Sequence, residues 1–128
     1  MAVLTPTVIT FGTRTAATTP TFAGINMAAV LTAAEAGGDA FVNDGRTFFR
    51  VKNGSASPIT VTIAAVKASD QGVTENIVSA IVANTGDVVF GPFPASEFND
   101  VNGRVIVTYS GVTTLTVMPY RLAERGRG

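Results

Sequence analysis

The chain has 128 residues, which is the size of one domain with a full hydrophobic core. Only 14% of the residues are charged, and nine basic residues balance nine acidic ones, so nothing indicates a nucleic-acid or membrane partner. The absence of Cys and His excludes disulfides, thiolate chemistry, imidazole bases and the usual zinc ligands. So little charge protects poorly against association, which suits either a compact β domain or a protein covered by other subunits.

Residues 1–38 differ from the rest of the chain, because they hold one basic and one acidic residue among Thr, Ala and scattered apolar side chains. Disordered tails are usually charged and poor in apolar residues. Two interpretations stay open: a first strand and loop packed on their own domain, or an extended arm that becomes ordered on a partner subunit. In the second interpretation the candidate interface residues are Val3, Leu4, Val8, Ile9, Phe11, Phe22, Ile25 and Met27.

Two short elements are predicted within this segment. Residues 8–11 have the composition of a short strand that ends at Gly12. Residues 27–36 are rich in helix formers, with Asn26 and Gly37 placed as caps, and they predict a short helix.

Residues 41–63 hold the clearest pattern in the chain. A turn at 43–45 precedes an alternating segment at 47–52, in which Thr47, Phe49 and Val51 share one face. Turn-forming residues at 53–58 separate it from a second alternating segment at 59–63. The pattern predicts a β-hairpin with a long loop.

The same pattern recurs in residues 98–117. An aromatic residue precedes an Asn/Asp turn, Gly-Arg begins a strand, a Ser/Gly break follows, and a Thr-alternating strand returns. We therefore expect one domain built from two similar hairpin halves, since two copies are too few for a solenoid.

Between the two motifs, strands are predicted at 76–82 and 88–90, and residues 92–94 suit a crossing between sheets because proline cannot donate to a central ladder. Seven or eight short strands predict an all-β domain over residues 39–122, a β-sandwich or jelly-roll-like Greek key, followed by a tail at 123–128. The predicted core consists of Phe41, Phe49, Val51, Ile59, Val61, Ile63, Val105, Val107, Tyr109, Leu115 and Val117.

Asp44 and Asp100 occupy equivalent places in the two motifs, each beside an Asn. They could form a carboxylate pair or calcium loops, but the favoured interpretation is an Asx turn, in which the side chain bonds its own backbone. Arg46 and Arg104 follow the turn glycines and are expected to bond turn carbonyls or to pair with these aspartates. We predict no catalytic residue, no cofactor and no metal site.

Residues 41–46, 53–62, 91–94 and 99–105 resemble motifs of the capsid decoration proteins of tailed bacteriophages, also called cement or head auxiliary proteins. The resemblance covers residues 39–122. It implies a structural virion protein on the outer surface of the capsid, bound to the major capsid protein, with homotrimers and with arms that reach neighbouring subunits. It implies no enzyme activity and no nucleic-acid or membrane partner.

The alternative is a β-sandwich binding module of a phage fibre or spike, which would recognise a carbohydrate or a receptor. Sugar platforms usually need flat exposed aromatic rings. The chain has no Trp and only two Tyr, which counts against this alternative.

Overall fold

The computed structural model describes residues 2–9, 30–67, 72 and 74–122. None of the helices in these ranges is long and apolar enough to cross a membrane. The elements are β1 (Ala2–Leu4), β2 (Thr7–Ile9), β3 (Thr32–Ala33), β4 (Asp39–Val42), β5 (Thr47–Asn53), β6 (Ile59–Ile63), β7 (Ile77–Ile81), β8 (Gly86–Phe90), α1 (Ala95–Phe98), β9 (Arg104–Tyr109) and β10 (Leu115–Leu122).

The strands form two mixed five-stranded sheets. Sheet A has the order β1-β4-β9-β6-β7, and sheet B has the order β2-β10-β5-β8 with β3 also paired to β10. Most neighbours are antiparallel, whereas β1 runs parallel to β4 and β2 runs parallel to β10. The predicted all-β sandwich is confirmed.

Both sheets contribute to one hydrophobic core. Phe41 of sheet A stacks on Phe49 of sheet B with ring centroids 5.1 Å apart, and Phe93 packs against Phe41 at 5.8 Å. Every predicted core residue is buried except Tyr109, which is half-buried and packs against the core. Periodicity of two therefore predicted correctly which side chains face inward.

The predicted hairpins are wrong. β5 and β6 lie in different sheets, and so do β9 and β10. Instead β5 pairs with β10 and β6 pairs with β9, so the two halves of the repeat pair with each other. Alternation predicts the buried face of a strand but not its sheet, because both sheets bury one face against the same core.

The corner after β5 shows why the chain crosses to the other sheet. The side-chain amide of Asn53 donates to the carbonyls of Ser57 and Ile81, each at 3.0 Å, and its Oδ1 accepts bonds from the N–H and hydroxyl of Ser55. Asn53 and Ser55 are buried. Their hydrogen bonds stabilise a corner that a simple hairpin loop would not need.

Other predictions in the second half of the domain are confirmed. β7 lies within the predicted strand at 76–82, and β8 covers the one predicted at 88–90. Residues 92–94 do lie between β8 of sheet B and β9 of sheet A. The one-turn helix α1 was not predicted.

The N-terminal segment packs on its own domain wherever it is described. β1 and β2 extend the two sheets, which agrees with the first interpretation of this segment for residues 2–9. The predicted helix at 27–36 is wrong for residues 30–36, because Thr32 and Ala33 form β3 and Ala34 donates its N–H to the Leu115 carbonyl at 2.9 Å. A helix of this length is marginal alone, and pairing with β10 outweighs its propensity. Residues 10–29 and 123–128 lie outside the described residues.

Candidate interaction surface

The two Asn/Asp turns are structural, as the favoured interpretation predicted. Asp44 Oδ1 accepts the Arg46 N–H at 2.9 Å, and Asp100 Oδ1 accepts the N–H groups of Asn102 and Arg104 at 2.8 and 3.0 Å. The bonds from Arg46 and Asn102, each two residues after the aspartate, are Asx turns. In the described ranges, no three His, Cys, Asp or Glu side chains are grouped to hold a metal ion.

A pocket forms where the N-terminal strands meet the end of the sandwich. It has a volume of about 370 Å³ and is called the N-terminal pocket below; its lining residues are Thr5, Pro6, Val8, Val42, Asp44 and Arg121. Val8 and Val42 remain 39% and 50% exposed. The pocket therefore presents apolar side chains to solvent beside an ion pair.

The parallel registers of β1 and β2 build this pocket. Leu4 lies opposite Phe41, which brings Thr5 next to Val42. Val8 lies opposite Arg121 in the other sheet. Because β1 and β2 belong to different sheets, the short link at Thr5 and Pro6 spans the end of the sandwich and lines the pocket.

Asp44 and Arg121 are the charged residues in the described lining of the pocket. Arg121 Nη1 lies 3.2 Å from Asp44 Oδ2, so the charged side chain that pairs with Asp44 is Arg121 and not the nearby Arg46. Burial raises the pKa of the Asp44 carboxyl, but the Arg46 N–H bond and the contact with Arg121 outweigh it and hold the pKa below its ordinary value. The pair is therefore ionised and neutral overall at physiological pH.

The predicted interface residues that the structure describes lie in different environments. Val3 is 53% exposed, Leu4 is half-buried against the core, and Val8 lines the N-terminal pocket. The backbone of Ile9 pairs with Leu122 in sheet B. Phe11, Phe22, Ile25 and Met27 lie outside the described residues.

Val42 and Arg121 of the pocket were not singled out from the sequence, and Asp44 was singled out only as a turn residue or candidate ligand. Val42 and Asp44 lie far along the chain from Arg121. Antiparallel pairing of β5 with β10 places Arg121 opposite Thr47, near Asp44, and the parallel pairing of β1 and β2 adds Thr5, Pro6 and Val8. The available signal was Val42 itself, an apolar residue on the outward side of a strand whose inward residue is Phe41.

The outer faces of the two sheets differ in charge. On sheet B, the outward residues of β5 and β8 include Arg50, Lys52 and Asp87. On sheet A, Arg104 is the one charged residue among the outward positions of the described strands. These positions, called the outer face of sheet A, are Val3, Ala40, Val42, Thr60, Thr62, Val78, Ala80, Arg104, Ile106 and Thr108.

The two tyrosines have structural contacts. Tyr109 donates its hydroxyl to Asp39 Oδ2 at 2.7 Å, and burial together with this bond raises the Tyr109 pKa above its ordinary value. Tyr120 is 1% exposed. Neither ring forms the open flat platform that sugar recognition uses.

Comparison with known proteins adds no relative. No family model matches the chain, and neither the curated proteins nor the solved structures include a significant match.

Proposed function

We propose that this chain is a structural virion protein that binds the outside of a tailed-bacteriophage capsid and stabilises the shell by bridging neighbouring major capsid subunits. The observation that carries the proposal is the N-terminal pocket, where exposed Val8 and Val42 lie beside the Asp44–Arg121 pair. The resemblance of residues 39–122 to decoration proteins supplies the identity of the partner. The pocket offers a contact site for another subunit, next to the N-terminal segment that was predicted to contact one.

The pocket has the chemistry of an anchor site for an apolar side chain of another subunit. Full burial of one Val- or Leu-sized side chain contributes about 1.5–3 kcal/mol. The neighbouring ion pair adds polar groups that orient the incoming chain without adding net charge. Apolar anchors surrounded by polar groups are typical of protein–protein interfaces.

Stabilisation of the shell follows from mass action. A protein that binds the assembled capsid and not its free subunits shifts the equilibrium toward the assembled state. A homotrimer, which the resemblance implies, would multiply a modest contact by presenting it to several subunits at once. The low charge of the outer face of sheet A suits a surface that lies against other protein.

The aspartates described here support a structural role over a catalytic one. Asp39 and Asp100 accept hydrogen bonds from their own domain, and Asp87 is bonded to Arg50 by both carboxylate oxygens. Such groups are engaged in holding the fold.

The test compares particles of the phage that encodes this chain with particles from which its gene is deleted. Image reconstruction should show density outside the major capsid shell only in the first. Purified protein added to deletion particles should restore this density and raise the temperature at which the DNA is released.

Matched variants test the pocket in the same assay. Val8→Asp or Val42→Asp should weaken binding to deletion particles by at least about tenfold, because a charge would be buried at the anchor. Val89→Asp is the control, since Val89 is also exposed but lies on β8 at the far edge of sheet B. Density confined to a tail fibre or spike would contradict the proposal and favour the alternative binding module.

A further inference from the structure

Among the strands of the described residues, β7 forms an open edge of sheet A, on the side of the sandwich opposite to β1. The segment 76–86 contains no charged residue and no proline. Val78 and Val82 are 63% and 64% exposed. Natural sheets usually protect such an edge with charge, proline or a bulge, because an open strand pairs readily with another strand. β7 carries neither charge nor proline and pairs with β6 in continuous register.

The direction of the backbone groups in β7 follows from its neighbours. The Ser110 N–H donates to the Thr60 carbonyl at 2.9 Å, and the Thr60 N–H donates to the Ser110 hydroxyl at 2.8 Å. The backbone groups of Thr60 therefore point toward β9. Since successive residues of a strand point their N–H and C=O to opposite sides, those of Val61 point toward β7.

Val61 lies opposite Ser79, so the backbone groups of Ser79 point back to β6. Those of Val78 and Ala80 consequently point away from the sheet, toward the open edge. The outward side chains of β7 belong to the same two residues. Within the part of the chain that the structure describes, the edge thus offers a row of backbone donors and acceptors without partners, beside small apolar side chains.

From this arrangement we infer that β7 pairs edge to edge with β7 of a second copy, antiparallel and about a twofold axis at Ser79. In this register Val78 of one copy lies opposite Ala80 of the other, and each such pair exchanges both of its backbone hydrogen bonds. Ile77 lies opposite Ile81, so that inward side chains stay on the inner side and sheet A continues across the interface.

Self-complementarity favours a second copy as the occupant. The register uses the backbone groups of both edge-facing residues and places no charge opposite a like charge, since Glu75 faces the second copy's Ala83. A twofold pairing of identical surfaces satisfies both copies at once. A short strand edge buries little area, so we expect a weak dimer that forms at high local concentration.

This inference does not depend on the proposed function, because it concerns the free protein. The experiment measures sedimentation of the full chain from micromolar to millimolar concentration, together with amide hydrogen exchange. The chain should dimerise reversibly. The amides of Val78 and Ala80 should exchange rapidly in dilute protein and become protected as the dimer forms, whereas that of Ser79 should be protected throughout.

A pair of charge variants tests the register. Val78→Lys/Ala80→Lys places Lys opposite Lys in both symmetry-related pairs and should weaken dimerisation by about tenfold or more. Val78→Lys/Ala80→Glu carries charges at the same sites but places Lys opposite Glu, and it should dimerise at least as well as the parent. Thr60→Lys/Thr108→Lys is the control for added charge, since these residues lie on the same face but on interior strands.

Three results would overturn the inference. The first is a chain that stays monomeric up to millimolar concentration. The second is a dimer that both double variants at positions 78 and 80 weaken equally. The third is association that leaves the Val78 and Ala80 amides unprotected, which would place the contact elsewhere, for example at the N-terminal pocket.

Discussion

The side-chain amides of Asn43 and Asn99 hydrogen-bond to each other, with Asn43 Nδ2 2.8 Å from Asn99 Oδ1. Asn99 Nδ2 in turn donates to the main-chain carbonyl of Asn43 at 2.8 Å. The two residues occupy similar places before Asp44 and Asp100 in the repeated motif. The repeat therefore has a direct physical consequence, because its two turns bind each other and hold the starts of β5 and β9 together.

Asn43→Asp should destabilise the domain by about 3 kcal/mol. Asn43 is 4% exposed, and its NH₂ group donates to both Asn99 Oδ1 and the Phe93 carbonyl. A carboxylate at this position would replace both donor contacts with repulsion between oxygens. Urea unfolding at neutral pH measures the change in the free energy of unfolding.

The neighbouring Asp44→Asn is the matched control, because it exchanges the same two groups at an exposed site. It loses the ion pair with Arg121 and should cost less than about 1 kcal/mol. Equal effects of the two variants would contradict the structural role assigned to Asn43.

The inward faces of β5, β6, β9 and β10 could be predicted from sequence because burial and alternation are local properties of a strand. The partners of these strands could not. The corner that directs β6 into the opposite sheet includes a hydrogen bond from the Asn53 side chain to the Ile81 carbonyl, far along the chain, and no spacing in the motif reveals that contact.

The candidate site was only partly predictable for the same reason. The scarcity of charge in residues 1–38 drew attention to Val3 and Val8, and both are exposed in the structure. The proximity of Val42 and Arg121 to the N-terminal segment depends on the parallel pairing of β1 and β2. These strands have three residues each, and their pairing has almost no sequence signal.

Tyr109→Phe should lower the free energy of unfolding by about 1–3 kcal/mol. Asp39 is fully buried, its Oδ1 has no hydrogen-bond partner among the described residues, and its Oδ2 accepts the Tyr109 hydroxyl and, at 3.3 Å, the Glu35 N–H. Removal of the hydroxyl therefore leaves a buried carboxylate with one long bond. Thr108→Val removes an exposed hydroxyl next to it and should change stability by no more than about 0.5 kcal/mol.

The Arg50–Asp87 pair should make stability depend on pH in the acid range. Arg50 donates to both carboxylate oxygens, at 2.8 and 2.6 Å, and these bonds lower the pKa of Asp87 below its ordinary value of 3.8. A carboxyl with a lowered folded pKa contributes stability above the unfolded pKa, and this is lost as pH falls through the folded value. The contribution is modest, about 1 kcal/mol or less, because the Asp87 side chain is 36% exposed.

Asp87→Asn isolates this contribution. Its free energy of unfolding should lie below that of the parent at neutral pH, and the two should converge as pH falls below 3.8. Urea titrations at several pH values measure the difference. A difference that stays constant across this range would show that Asp87 acts through its shape and not its charge.

Gly86→Ala should destabilise the domain, because Gly86 begins β8 directly after the turn from β7 and leaves no space for a methyl group. A Cβ at this position would overlap the Val82 carbonyl oxygen and lie 2.6 Å from Ile81 Cγ2 and 2.9 Å from the Val82 nitrogen. Two of these atoms belong to the backbone, which also accepts the Gly86 N–H at 3.0 Å, so relief requires the turn to move. We expect the free energy of unfolding, measured in urea, to fall by about 1–3 kcal/mol.

Gly111→Ala is the control, since its Cβ would meet nothing within 4 Å and the change should be neutral or slightly stabilising. Because the turn positions β7, Gly86→Ala should also speed amide exchange at Ser79 and Ile81 more than at Phe41, and uniform acceleration would mean that the substitution acts on the whole fold alone.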